Sequence, residues 1–219
     1  KEGLWMEVKN CSNFGNVTGT SINIDDRPYW YGVGGILGSC DQANIKVTHC
    51  SNHGDIEGNS GSGFHGVGGI AGVMGYDPGA TQKGDNLEVY SCANYGLVEA
   101  SNSWVGGILG YQEEGKTGKN DTNSIVKDCV NYGEIAKNLG SGGGIVGRID
   151  NYANQHRCIN FGKVYTGDAL VDDEKNAAIT HQHDLYYLNS SGNDSWGESF
   201  TESEQNKQST FSGFDFNTV

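Results

Sequence analysis

The sequence predicts an all-β fold: a right-handed parallel β-helix, or β-solenoid, of about five repeats with a small C-terminal cap. Three observations lead there. Cys-x-Asn-x-Gly occurs five times, at Cys11-Asn13-Gly15, Cys50-Asn52-Gly54, Cys92-Asn94-Gly96, Cys129-Asn131-Gly133 and Cys158-Asn160-Gly162. Gly-Gly-Ile-x-Gly occurs four times, beginning at Gly34, Gly68, Gly106 and Gly143. Glycine is abundant, with 35 residues against two prolines, which suits short strands joined by turns and excludes collagen.

Successive motif cysteines lie 39, 42, 37 and 29 residues apart. The motifs are rigid while the segments between them vary, because stacked positions must keep register and outward loops need not. One coil per repeat is expected, with two short coils as the alternative.

Each element has a physical reading. In Ile45-Lys46-Val47-Thr48-His49-Cys50, alternation puts Ile45 and Val47 on one face and Cys50 on the other. A bulge or bend near His49 is expected to turn the thiol inward. The Asn two residues later also points inward, where stacked amides can bond one coil to the next. The Gly after it suits a left-handed turn. A β-branched residue then starts the next strand, at Val17, Ile56, Val98, Ile135 and Val164. Gly-Gly-Ile-x-Gly reads as a strand apolar on both faces, covered from outside by the variable loops. Ala177-Ala178-Ile179 reads as a degraded fifth copy.

The structural ladder is therefore Cys11, Cys50, Cys92, Cys129 and Cys158 beside Asn13, Asn52, Asn94, Asn131 and Asn160. Parallel Cβ directions in such a file disfavour disulfides, so these cysteines read as buried free thiols. Cys40 reads as another packed thiol. The absence of a close Cys-x-x-Cys pair argues against a metal site, and no cofactor is expected.

The motif blocks resemble the GLUG-repeat family over about residues 8 to 180. The resemblance implies a non-catalytic repeat module of a secreted or wall-attached bacterial protein, adhesin-like, with neighbouring domains in a larger chain. It carries over no catalytic residues. Residues 1–180 form the repeat array in this reading, and residues 181–219 the cap. Thr201 and Glu204 are expected to form a capping box on a helix over 202–208, with Phe211, Phe214 and Phe216 as apolar cover.

Net charge is −13, which disfavours nucleic acid and anionic membrane surfaces, and no apolar run suggests membrane insertion. The chain starts at Lys1 without an initiator Met, and we read it as a piece whose export signal or anchor lies outside it. Secretion or cell-surface attachment is the expected setting.

The candidate ligand site is an aromatic loop patch: Tyr29, Trp30 and Tyr31, joined by Phe64 and Trp104 from later repeats. The alternative is that these rings cover the Gly-Gly-Ile strands. A second aromatic set, Phe14, His53, Tyr95, Tyr132 and Phe161, sits inside the motif and points outward by alternation. It reads as a stack sealing the turn, with ligand stacking as the alternative. Asp25-Asp26 and Asp172-Asp173-Glu174 are acidic loop clusters lacking the spacing of a calcium loop, and His181-Gln182-His183 reads as an ordinary polar segment.

The leading functional expectation is adhesion or binding of a host glycan or glycoprotein. Recognition of a host protein such as an immunoglobulin is the second. The third is a polysaccharide-active enzyme using Asp25, Asp26, Asp150, Asp172 or Asp173. With only Arg27, Arg148 and Arg157 present, a basic cleft for acidic sugars is hard to build.

Overall fold

The computed structural model describes residues 5–21, 31–41, 44–60, 65–75, 87–112, 125–135, 142–150, 154–175, 182–192, 197–207 and 210–211. The fold is all-β with parallel sheets, and every strand pairing among the described residues is parallel. No helix there is long and apolar enough to cross a membrane.

Each repeat contributes one layer of strands. The second repeat shows all five positions: Asn44–Thr48, Ser51–Asn52, Ile56–Ser60, His65–Gly68 and Ala71–Gly75. Each strand bonds to its own equivalent above and below, so Val8, Val47, Val89, Val126 and Gln155 share one column. Asn13, Asn52, Asn94, Asn131 and Asn160 share another.

The predicted bend before cysteine is a backbone conformation. Asn10, His49, Ser91, Asp128, Arg157 and Asp184 all have φ between 49° and 56°. This left-handed residue costs about 1–2 kcal/mol without glycine and breaks the alternation, so the next side chain turns inward. Cys50, Cys92, Cys129 and Cys158 are buried among Ile45, Val47, Val89, Val126, Ile70, Ile108 and Ile145.

Four expectations need correction. The motif glycines are not left-handed; among the described glycines positive φ falls on Gly167 and Gly192. Instead, a Cβ on Gly54, Gly96, Gly133 or Gly162 would run into the carbonyl of the equivalent glycine one layer earlier. Close stacking of turns, not turn conformation, demands glycine there. Second, Gly-Gly-Ile-x-Gly is two strands, His65–Gly68 and Ala71–Gly75 in the second repeat, separated by a bend at Gly69-Ile70. What approaches the glycines is the neighbouring sheet: a Cβ on Gly66 would meet Gly72 and Tyr111 backbone, and one on Gly110 would meet Val67 and Gly66.

Third, the fifth copy of this block is Asp168-Ala169-Leu170-Val171-Asp172, with Asp168 in register with Gly143 and Val171 with Val146. Ala177 to Ile179 lie outside the described residues. Fourth, hydrogen-bonded turns occupy 202–206 where a helix was expected. The Thr201–Glu204 pair does form, with the Thr201 N–H donating to Glu204 Oε2 at 2.9 Å and its hydroxyl at 2.7 Å. Four consecutive helical bonds do not follow it.

The parallel stack also continues past residue 180. Gln182–Leu188 pairs with Asn154–Asn160, placing Leu185 over Cys158 and Tyr187 over Asn160. Glu198–Phe200 pairs in turn with that strand. Tyr186, Phe200 and Phe211 then pack edge-on as a separate small core with Ile159. Phe214 and Phe216 lie outside the described residues.

The six cysteines are free thiols, with Cys11 exposed, Cys40 half-buried and the other four buried. Burial pushes the Cys50 thiol up to about 11 and Cys129 well above the ordinary range. A two-unit rise leaves roughly a hundredfold less thiolate near neutral pH. Exposure sets the order of alkylation in the folded protein at pH 8: Cys11 should be modified first and Cys40 more slowly. Cys50, Cys92, Cys129 and Cys158 should react only once urea unfolds the chain. Peptide mapping after timed labelling reads this directly, and rapid native labelling of Cys92 or Cys129 would contradict the buried file.

Candidate functional site

The outward position between Asn and Gly builds one continuous feature. Phe14, His53, Tyr95, Tyr132 and Phe161 stack face to face, with successive ring centroids 4.7, 4.6, 5.0 and 4.9 Å apart. Interplanar angles are only 4–9°. The spacing follows from the strands: a parallel sheet repeats at about 4.8 Å, which leaves room for a tilted ring to lie on its copy. Backbone bonds fix the register, since each of these residues except Phe14 donates its N–H to an Asn carbonyl one layer earlier at 2.8 Å.

The row is exposed. Phe14 is 76% accessible, and Tyr95 and Tyr132 are each 48%. The partial burial that remains pushes the Tyr132 phenol up from its ordinary value. Its faces are nevertheless covered, each inner ring by two neighbours. At the far end Phe161 meets Phe200 edge-on at 5.3 Å. Ring edges and hydroxyls are what this surface presents, along with the outer face of Phe14.

A file of amides stands behind the row. Asn13, Asn52, Asn94 and Asn131 each donate Nδ2 to Oδ1 of the next Asn at 2.8 Å. Each also donates to the carbonyl of its own motif glycine at 2.7–2.9 Å. Asn160 ends the file on the Ala169 carbonyl at 2.8 Å. The turn that carries each outward ring is thus clamped from inside.

The aromatic loop patch fares differently. Tyr29, Trp30 and Phe64 lie outside the described residues, and Tyr31 is described only as the start of the strand Tyr31–Gly34. Trp104 is half-buried, packs on buried Tyr111 at 5.0 Å, and carries the Arg148 guanidinium over its ring at 4.2 Å. This places Trp104 as cover on its own repeat's second glycine strand. Arg148 carried no sequence signal beyond being one of three arginines.

The acidic and histidine candidates also move. Asp172, Asp173 and Glu174 belong to the strand Val171–Lys175 rather than a loop. Gln182 and His183 begin the strand Gln182–Leu188, while Asp25, Asp26 and His181 lie outside the described residues. No group of three or more potential metal ligands occurs among the described residues. Polar side chains at the bend also link layers: Arg157 donates to both oxygens of Asp128, at 2.5 and 2.8 Å, and His156 Nε2 is hydrogen-bonded to Asp184 Oδ2 at 3.1 Å.

Comparison with protein-family models, curated proteins and solved structures finds no match to this chain.

Proposed function

We propose that the layers coil as a right-handed parallel β-helix of the GLUG-repeat kind and that the chain is a non-catalytic binding module. Its setting in this reading is a secreted or surface-attached bacterial protein, and its ligand a host glycoprotein. The single observation that carries the binding role is the row of five stacked rings, exposed from Phe14 to Tyr132, on a backbone locked in register. Rigid aromatic area binds at low entropic cost.

The geometry favours the protein part of such a ligand over its sugars. A pyranose needs an open ring face, and the inner faces are taken up by neighbouring rings. Ring edges and phenolic hydroxyls suit a flat protein surface instead.

A pull-down from host serum and mucus tests this, using the whole chain and a Tyr95→Ser/Tyr132→Ser double variant checked for native circular dichroism. At least a tenfold loss of capture is expected. A Trp30→Ala/Trp104→Ala variant serves as the comparison. Loss there with full retention in the tyrosine variant would move the site to the loops.

A further inference from the structure

The two ends of the stack differ. At the far end the last ring of the aromatic row meets Phe200 edge-on, and Phe200 packs on Phe211. At the near end every sheet terminates in a strand of the first repeat: Trp5–Lys9, Ser12–Asn13, Val17–Ser21, Tyr31–Gly34 and Leu37–Asp41. Among the described residues, each pairs on one side only.

The side chains of this first layer are those of a core. Met6 occupies the column of Ile45 yet is 50% exposed where Ile45 is 1%. Cys11 is exposed while Cys50 is buried, and Asn13, Val17 and Ile36 are half-exposed above buried Asn52, Ile56 and Ile70. Phe14 presents a ring face that in every later layer lies against another ring.

The amide file gives this end a chemical polarity. Asn131 and Asn160 each accept two bonds at Oδ1, one from the glycine two residues on and one from the preceding Asn. Among the described residues, Asn13 Oδ1 accepts only from the Gly15 N–H, at 3.1 Å. Both hydrogens of its Nδ2 are already committed, to Gly15 and Asn52. The end therefore offers an acceptor and lacks a donor.

We infer that this face is a half-made interface for one more layer of the same repeat, carried on the same polypeptide ahead of Trp5, whose Asn donates Nδ2 to Asn13 Oδ1. A second copy of the chain does not fit. At its far end Phe200 lies on the last ring and Asn160 Nδ2 is already committed to Gly162 and Ala169, and two near ends would set acceptor against acceptor. The route is short as well: Trp5 sits in register with Asn44, and Asn44 follows the end of the preceding strand, Asp41, after two residues.

The test adds a layer. A copy of residues 5–43 is placed directly before Trp5, with Cys11→Ser and Cys40→Ser in the copy alone, so that the original Cys11 reports coverage. Alkylation of that Cys11 should slow at least 100-fold, Trp5 emission should shift to the blue, and the thermal midpoint should rise. Asn13→Leu in the copy should return part of the lost alkylation rate. A second version, using a copy of residues 44–86, guards against failure of one added sequence. Unchanged Cys11 reactivity in both versions would overturn the inference. So would concentration-dependent protection of Cys11 in the parent chain, since that would make a second copy the occupant.

Discussion

Asn94→Ala is expected to lower unfolding free energy by about 3–5 kcal/mol, and the thermal midpoint by roughly 10 °C. Asn94 is fully buried at the centre of the amide file. It donates to Gly96 O at 2.9 Å and to Asn131 Oδ1 at 2.8 Å, and it accepts from Asn52 Nδ2 at 2.8 Å. Alanine removes all three bonds and leaves a buried donor and two buried acceptors short of partners, each worth about 1–3 kcal/mol. Asn94→Asp should be at least as costly, because a carboxylate cannot donate and would confront two oxygens. Asn13→Ala removes the same side chain where it is half-exposed, and should cost only about 1 kcal/mol. Urea titrations of the three variants by far-ultraviolet circular dichroism would measure this. Equal losses at positions 13 and 94 would show that the amides do not act as a file.

The array was legible because its signals are spaced by the layers themselves. Cys-x-Asn-x-Gly keeps its internal spacing while the linking segments vary, and that contrast can come only from positions held in register. The left-handed residue before each cysteine was legible as a conflict: apolar alternation fails between Val47 and Cys50, so something must bend at His49.

Two of the misreadings share one cause, which is that glycine reports space without saying which atoms need it. The motif glycine was assigned to a turn conformation when the demand comes from the layer before it. The Gly-Gly pair was assigned to loop cover when the demand comes from a sheet contributed by the same block. The fifth block escaped because Asp168, Ala169 and Leu170 replace its glycines and isoleucine, while pairing depends on backbone alone. Leu185 and Tyr187 hid the sixth layer in the same way. The aromatic row was visible as a sequence column, but its meaning depended on exposure, which no single repeat encodes. Trp104 looked like a free anchor because the guanidinium on its face comes from the next repeat.

Gly96→Ala should be the more disruptive of two chemically identical changes. A Cβ there would fall inside contact distance of the Gly54 carbonyl oxygen and carbon, both backbone atoms that no rotamer change can move. The layers would have to part locally, straining the 2.8 Å Tyr95 N–H to Asn52 O bond, the amide file and the ring contacts on either side. Overpacking of this kind costs about 1–3 kcal/mol where side chains can yield, and more against fixed backbone, so we expect a loss of at least about 3 kcal/mol or failure to fold. Gly15→Ala adds the same methyl in the first layer, where its nearest foreign atom is Asn13 Oδ1 at 3.9 Å. It should cost less than about 1 kcal/mol. The contrast comes wholly from whether a layer lies above, so stability measurements on both variants separate stacking from turn conformation. A turn requirement would penalise positions 15 and 96 alike. With an added layer in place, Gly15→Ala should become as damaging as Gly96→Ala is now, since the methyl would then meet the carbonyl of the copied turn.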